Sequence, residues 1–215
     1  MENINRRDLF KQLALIGSVA TLSPLAKAAL QCGEATPRQT EGPFYPVQDQ
    51  LDKDTDLTIV EGSTQKAEGR IIEVKGIVTD TQCRPLKDAI VEIWQACASG
   101  KYDHPSDPNP APLDPNFQYW GIAKTNAKGE YRFRTIVPGA YPADANWMRP
   151  PHIHYKVHKW GYQELTTQLY FAGEILNQTD SILQNLSQHD QEMVVRPIEN
   201  EVVTFDIALK EATRG

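Results

Sequence analysis

The chain has 215 residues, of which 40% are hydrophobic and 23% are charged, with 22 Lys and Arg against 28 Asp and Glu. These proportions exclude a polytopic membrane protein and a disordered chain. The net charge of −6 argues against a nucleic-acid partner, which would select a basic surface. Fifteen prolines and thirteen glycines indicate many turns and little long helix, and three cysteines are too few for a disulfide framework.

The first 28 residues carry the features of an export signal. Arg6 and Arg7 precede an apolar run at residues 13–25, which is too short to cross a bilayer. Residues 26–28, Ala-Lys-Ala, then offer a small-x-small cleavage site. We therefore expect residues 1–28 to be a twin-arginine signal that sends the protein to the periplasm or the cell exterior, with no membrane span left after its removal. A cytoplasmic N-terminal helix with a chance arginine pair is the alternative.

Residues 29–69 predict an extended, proline-rich arm. Within it, Pro43 and Pro46 flank the aromatic residues Phe44 and Tyr45. Such a segment suits an ordered arm that packs on a core without forming a helix. The remaining residues, 70–215, are predicted to form one folded domain.

Alternation of apolar and polar residues dominates the chain from residue 70 onwards. The clearest runs of this period are Ile72–Val78, Ala89–Ile93, Tyr131–Phe133 and Val203–Leu209. Short runs of period two between Gly, Pro and Asp turns predict strands. The one predicted helix is short, from Thr179 to His189, with Thr179 or Asp180 as its N-cap. We therefore expect an all-β fold, an antiparallel β-sandwich of about seven to eight strands with an N-terminal arm and one short helix.

The segment at residues 149–158 holds two closely spaced histidines. Pro150 and Pro151 disfavour a helix, so His152 and His154 are predicted to lie on one face of a strand, with their Cβ atoms about 7 Å apart. Two imidazoles at this spacing can reach one metal ion. A pair of surface or hydrogen-bonded histidines is the alternative. The apolar side chains of the strand point to the opposite face: Ile153, Tyr155 and Val157.

Two tyrosines are candidates to complete such a site, whereas the cysteines do not lie at ligand spacing. Tyr102 follows the strand that ends at Trp94, and Tyr141 lies in a turn that Pro138 and Pro142 bracket. Loops at strand ends are where sites usually form. Phenolate is a hard, strongly donating anion that selects Fe(III). Taken alone, however, each tyrosine is better explained by packing than by ligation.

Several motifs resemble those of the intradiol ring-cleavage dioxygenases, closest to the protocatechuate 3,4-dioxygenase type and its beta chain. They keep the order and roughly the spacing of that family over about residues 40–209. Together they are specific, although any one of them would be weak. The matching segments are residues 40–45, 91–96 leading to 100–102, 114–117, 131–136 leading to 138–142, 149–154 and 167–171.

The resemblance implies a site as well as a fold. The implied metal is one mononuclear non-haem Fe(III), and its implied protein ligands are Tyr102, Tyr141, His152 and His154. The implied catalytic residues are Arg149 beside the substrate ring, Tyr141 as a ligand that leaves and acts as a base, and Gln168, which hydrogen-bonds near the iron. The implied reaction is cleavage of a catechol-type, protocatechuate-like aromatic diol by O2 to a cis,cis-muconate.

The resemblance leaves the substrate and the assembly open. Ala143 stands where protocatechuate enzymes tend to carry an aromatic residue, so the ring substituents of the substrate are undetermined. The chain is expected either to form a homo-oligomer or to pair with an unlike subunit.

Two other classes of protein remain as alternatives. Residues 78–93 resemble a transthyretin-like sandwich, which would make the chain a non-catalytic binding module. The second alternative is an exported hydrolase or oxidase in which the same histidines bind zinc or copper. The tyrosine pair beside the His-x-His strand argues against the binding module, and colour separates ferric iron from zinc.

Overall fold

The computed structural model describes residues 33–50 and 52–213, so the predicted export signal lies outside the described residues. Strands form most of the regular structure, with two short helices and one 3-10 turn at Ile175–Gln178. The helices are α1 (Ser181–Gln184) and α2 (Gln188–Val194). The strands are β1 (Ile71–Asp80), β2 (Ile90–Trp94), β3 (Trp120–Lys124), β4 (Glu130–Ile136), β5 (Tyr141–Asp144), β6 (Trp147–Arg149), β7 (His152–His158), β8 (Leu165–Phe171), β9 (Val195–Arg196), β10 (Val202–Thr204) and β11 (Ile207–Leu209).

Two sheets enclose the hydrophobic core. One has the strand order β3-β2-β7-β8-β9, and the other joins β10, β11 and β4 to the long strand β1. Tyr155 of β7 packs edge-on against Tyr131 of β4 and against Phe205, with ring centroids 6.2 and 5.0 Å apart. Side chains of both sheets thus share one buried cluster, and the predicted all-β sandwich is confirmed.

The strand pairing is more mixed than the antiparallel prediction, and the strands are more numerous. β1 pairs in parallel with both β10 and β11, and β8 pairs in parallel with β9. The predicted run Val203–Leu209 is divided because the carboxylate of Asp206 accepts a hydrogen bond from Ile77 N at 2.9 Å. Phe205 O lies so close to Gly76 that a Cβ there would stand 1.9 Å from it. This close crossing separates β10 from β11.

The single helix predicted at residues 179–189 is wrong in extent. The side chain of Asp180 accepts a hydrogen bond from Leu183 N and caps α1, while Ser187 accepts one from Asp190 N and caps α2. Two separate N-caps start two separate helices, which is why the segment does not form one. Within residues 33–50 and 52–213, no helix has the length and apolarity needed to cross a membrane.

The described part of the arm packs along the five-stranded sheet. Gln39 N donates to Thr166 O at 2.9 Å, and Tyr45 Oη donates to a carboxylate oxygen of Glu92 at 3.0 Å. Leu57 is fully buried in the core. These contacts fix the arm against β2 and β8, at the end of the sandwich where the two histidines lie.

The cysteines differ in chemical state. Cys83, in the turn after β1, is disulfide-bonded. Cys97 is buried and carries a free thiol. Neither lies among the candidate ligands of the site described below.

Candidate functional site

The two histidines of β7 meet inside the protein. His152 and His154 are both buried, and their Nε2 atoms lie 3.1 Å apart. Nδ1 of His152 lies 2.7 Å from Pro150 O, and a carbonyl can only accept, so this nitrogen carries the proton. The Nε2 atom of a neutral His152 therefore presents a lone pair toward His154, which is the arrangement of a metal ligand oriented by a second hydrogen bond.

The electrostatics of the site keep both imidazoles neutral. Burial, and after it the charge of Arg149, holds the pKa of His152 and of His154 well below the usual range for histidine. A neutral imidazole is the form that binds a metal ion. Both rings are therefore available as ligands at neutral pH without first losing a proton.

The two tyrosines stand against the same histidines. Tyr102 Oη lies 3.4 Å from His152 Nε2, and the ring of Tyr141 lies 5.7 Å from the ring of His152. The two phenol rings are themselves 5.3 Å apart, edge to face. Burial raises the pKa of both phenols, and the charge of Arg149 opposes that rise in each of them. The phenols stay protonated unless a cation replaces the protons.

Two glycines bring the tyrosine-bearing loops together. Gly100 has a φ of +82°, and a Cβ on it would stand 2.3 Å from Ala140 O. A Cβ on Gly139 would stand 2.4 Å from Gly100 N. Only residues without side chains allow the backbones to approach this closely. The glycines thereby place Tyr102, two residues after Gly100, beside Tyr141.

The proline-rich loop at residues 105–115 braces Tyr102. Asp107 accepts hydrogen bonds from Tyr102 N at 2.7 Å and from Asn109 N at 2.8 Å. Nζ of Lys101 donates to the carbonyls of both Asp107 and Asn109. The loop is therefore bonded to the backbone amide of Tyr102 and to the side chain of Lys101 before it, which fixes the position of this segment.

Arg149 connects the histidines to the rest of the site. Its Nη1 lies 3.2 Å from His152 Nε2, and its Nη2 donates to Gln168 Oε1 at 2.9 Å and to Tyr170 Oη at 3.0 Å. Its Nε donates to an oxygen of Asp180 at 2.9 Å. The guanidinium is buried, so each of these contacts is shielded from water.

Gln168 lies behind Arg149. Its Nε2 donates to Thr40 O at 2.9 Å, so the amide joins the arm to the arginine. It is paired with His154 across β7 and β8. The structure thus brings all six predicted site residues into one cluster, with Gln168 bonded to the arginine and the arm.

Three further residues shape the site without having been singled out from the sequence. Trp94 stacks on His154, Asp107 braces Tyr102, and Asp180 pairs with Arg149. Asp180 was recognisable only as a possible helix cap. Trp94 lies within the matching segment at residues 91–96, but its stack on His154 and the contact of Asp107 with Tyr102 are not visible locally, because both depend on loop and strand contacts.

The donor atoms fit a hard, highly charged cation. Among the residues that the structure describes, no group of three or more His, Cys, Asp or Glu side chains converges. The phenols of Tyr102 and Tyr141, which lie beside the two imidazoles, are the candidate further donors. Two imidazoles and two phenols form a donor set suited to Fe(III).

Comparison with known proteins identifies the family. A sequence model of the family described as Dioxygenase matches residues 40–211. A relative from Burkholderia cepacia, named protocatechuate 3,4-dioxygenase beta chain, is 38% identical over 161 residues, covering 74% of this chain and 68% of the relative. The chain belongs to the intradiol ring-cleavage dioxygenases. This intradiol dioxygenase is thus an oxidoreductase by family, and the resemblance seen in its sequence is confirmed.

Two further proteins are similar to this chain over different shares of their own length. Catechol 1,2-dioxygenase 2 of Acinetobacter lwoffii is 33% identical over 169 residues, which cover 69% of this chain but 55% of that one. The solved dioxygenase domain of a dioxygenase carbohydrate-binding protein fusion from Streptomyces sp. SirexAA-E is 33% identical, with a TM-score of 0.62. That match covers 83% of this chain and 100% of the domain.

Proposed function

We propose that this intradiol dioxygenase binds one ferric ion and cleaves a catechol-type, protocatechuate-like aromatic diol with O2 to a cis,cis-muconate. The observation that carries the proposal is that two imidazoles and two phenols lie close together in the interior of the protein. The Nε2 atoms of His152 and His154 lie 3.1 Å apart, and Tyr102 Oη lies 3.4 Å from His152 Nε2. Imidazole and phenol donor atoms this close together inside a protein are suited to sharing one cation.

The residues that would hold the ion are Tyr102, Tyr141, His152 and His154. When bound, ferric iron would act as a Lewis acid toward the diol and withdraw electron density from its ring. Its charge also favours the phenolate forms of the two tyrosines, whose pKa values burial raises.

The protein contributes proton transfer and charge stabilisation. Tyr141 Oη would be the base that takes a proton from a diol hydroxyl, because burial raises the pKa of this phenol and makes its phenolate a strong base. Arg149 directs Nη1 into the cluster and stabilises negative charge that develops on the substrate. Phe44 packs 4.8 Å from the ring of Tyr102 and 5.9 Å from that of Tyr141, and this aromatic wall limits the access of water.

Elemental analysis and a visible spectrum test the metal. We expect about one iron atom per chain and a tyrosinate-to-iron charge-transfer band, which Tyr102→Phe and Tyr141→Phe each shift or weaken. His152→Ala should lose the iron. A colourless, active protein that holds zinc would reject the proposal in favour of a hydrolase, and a protein without metal or turnover would favour the transthyretin-like binding module.

The assembly is proposed from the relatives. Because one similar protein is named a beta chain, this chain either pairs with an unlike subunit or forms a homo-oligomer. Native mass spectrometry of the protein expressed alone separates the two, since a homo-oligomer that turns over a diol needs no second chain.

We also propose export by the twin-arginine route. The support is Arg6 and Arg7, the short apolar run and the Ala-Lys-Ala segment at residues 26–28. Replacing both arginines by lysine should keep the protein in the cytoplasm, and unchanged export of that variant would reject the signal.

A further inference from the structure

The carboxylate of Asp180 is one half of a buried ion pair. Its Oδ2 accepts from Arg149 Nε at 2.9 Å, and its Oδ1 accepts from Arg149 Nη2 at 3.3 Å. The side chains are 0% and 3% exposed, respectively. A buried guanidinium without a compensating charge would be strongly destabilising, so this carboxylate allows the cation to remain in the site.

The same contacts determine which way the guanidinium faces. Asp180 occupies its Nε edge, while Gln168 and Tyr170 accept from Nη2. Only Nη1 is left to face His152, at 3.2 Å from its Nε2. Because the guanidinium group of an arginine is planar and rigid, a two-point contact with Nε and Nη2 also fixes the direction in which Nη1 points.

We propose that Asp180 is a positioning residue, which orients Arg149 and offsets its charge so that Nη1 faces the reacting diol. The inference rests on the proposed function, because it assigns Arg149 to the substrate side of the metal ligands. Within the described part of the chain, the Asp180 side chain hydrogen-bonds to Arg149 and to Leu183 N and to none of the candidate ligands. It acts through the arginine.

A purely structural role is the competing explanation. Oδ1 of Asp180 also accepts from Leu183 N at 2.8 Å and so caps α1. Asn caps a helix as well as Asp does, but it is neutral and cannot form the two-point contact with a guanidinium. Asp180→Asn therefore keeps the cap and removes the ion pair, which separates the two roles.

The experiment compares Asp180→Asn with Asp190→Asn, a matched loss of one charge on the neighbouring helix α2. Steady-state kinetics, iron content, thermal stability and anaerobic binding of catechol, followed by the charge-transfer band, are measured for both. For Asp180→Asn we expect full iron content, a loss of about 10- to 100-fold in kcat/KM and an altered band with bound catechol. Asp190→Asn should match the wild type in every readout.

A double-mutant cycle tests whether the effect passes through Arg149. In an Arg149→Lys background, Asp180→Asn should cost less than about twofold, because the two-point contact is already gone. Asp180→Glu, which restores a carboxylate, should recover part of the activity even if Asp180→Asn folds poorly. Undiminished activity of Asp180→Asn, an equal loss in the Arg149→Lys background, or a fall in stability that alone accounts for the loss would overturn the inference. A wild type without iron or turnover would instead overturn the proposed function.

Discussion

The indole of Trp94 stacks on the imidazole of His154, with ring centroids 4.8 Å apart and planes inclined by 10°. The two residues are paired across β2 and β7, so the strand register builds the stack. Nδ1 of His154 is buried and has no hydrogen-bond partner among the described residues, whereas Nδ1 of His152 is held by Pro150 O. The orientation of His154 therefore depends on packing.

We expect Trp94→Leu to weaken metal binding more than Trp94→Phe does. Phe preserves a flat surface against the imidazole, whereas Leu lets the ring of His154 turn. Iron retained after dialysis against a chelator should fall about tenfold for the Leu variant and little for the Phe variant. Equal iron content in both variants would show that the stack does not orient the ligand.

The crossing of the tyrosine loops predicts a second effect. Gly100→Ala should lower the free energy of unfolding by about 1–2 kcal/mol, because alanine disfavours the positive φ of this position. It should lower it by a further ~1–3 kcal/mol, because a Cβ would stand 2.3 Å from Ala140 O. Gly173 has a similar φ of +85° with open space around it, so Gly173→Ala should show the first cost alone. Urea denaturation measures both, and equal losses would contradict the proposed contact.

The local parts of the fold and site were predictable from the sequence. His152 and His154 share a face because strand periodicity is a property of neighbouring residues, and the same reasoning identified the core faces of β1 and β4. The all-β sandwich and the family are confirmed. The roles of the metal ligands and of the export signal stay predictions.

The unpredicted parts depend on contacts between distant segments. Trp94 meets His154 only through strand pairing, and Asp180 meets Arg149 across 31 residues. β1 pairs in parallel with β10 and β11. The alternation of apolar and polar residues in these strands does not indicate whether they pair in parallel or antiparallel. Ser187 caps the start of α2, so the continuous helix that the sequence pattern predicted is divided into two.

Acid should remove the stabilisation that Asp80 supplies. Burial by itself raises its pKa, but hydrogen bonds from Arg84 and from Gln82 N bring the pKa below the usual 3.8. A carboxylate with a lowered folded pKa stabilises the protein above its unfolded pKa and loses that contribution as pH falls through the folded pKa. Asp80→Asn should therefore cost ~2 kcal/mol near neutral pH, with the difference shrinking below about pH 4. Urea denaturation of the wild type and of Asp80→Asn across this pH range measures the difference in their free energies of unfolding. A difference that stays constant with pH would contradict the account.

Product analysis of aerobic reactions with catechol and protocatechuate tests the proposed activity most directly. In the proposed function, two phenols beside two imidazoles would favour ferric iron, which would activate the diol for cleavage of the bond between its two hydroxyl-bearing carbons. The account predicts an ultraviolet-absorbing cis,cis-muconate that contains both atoms of isotopically labelled O2. A yellow semialdehyde, formed by cleavage beside the diol, would contradict it.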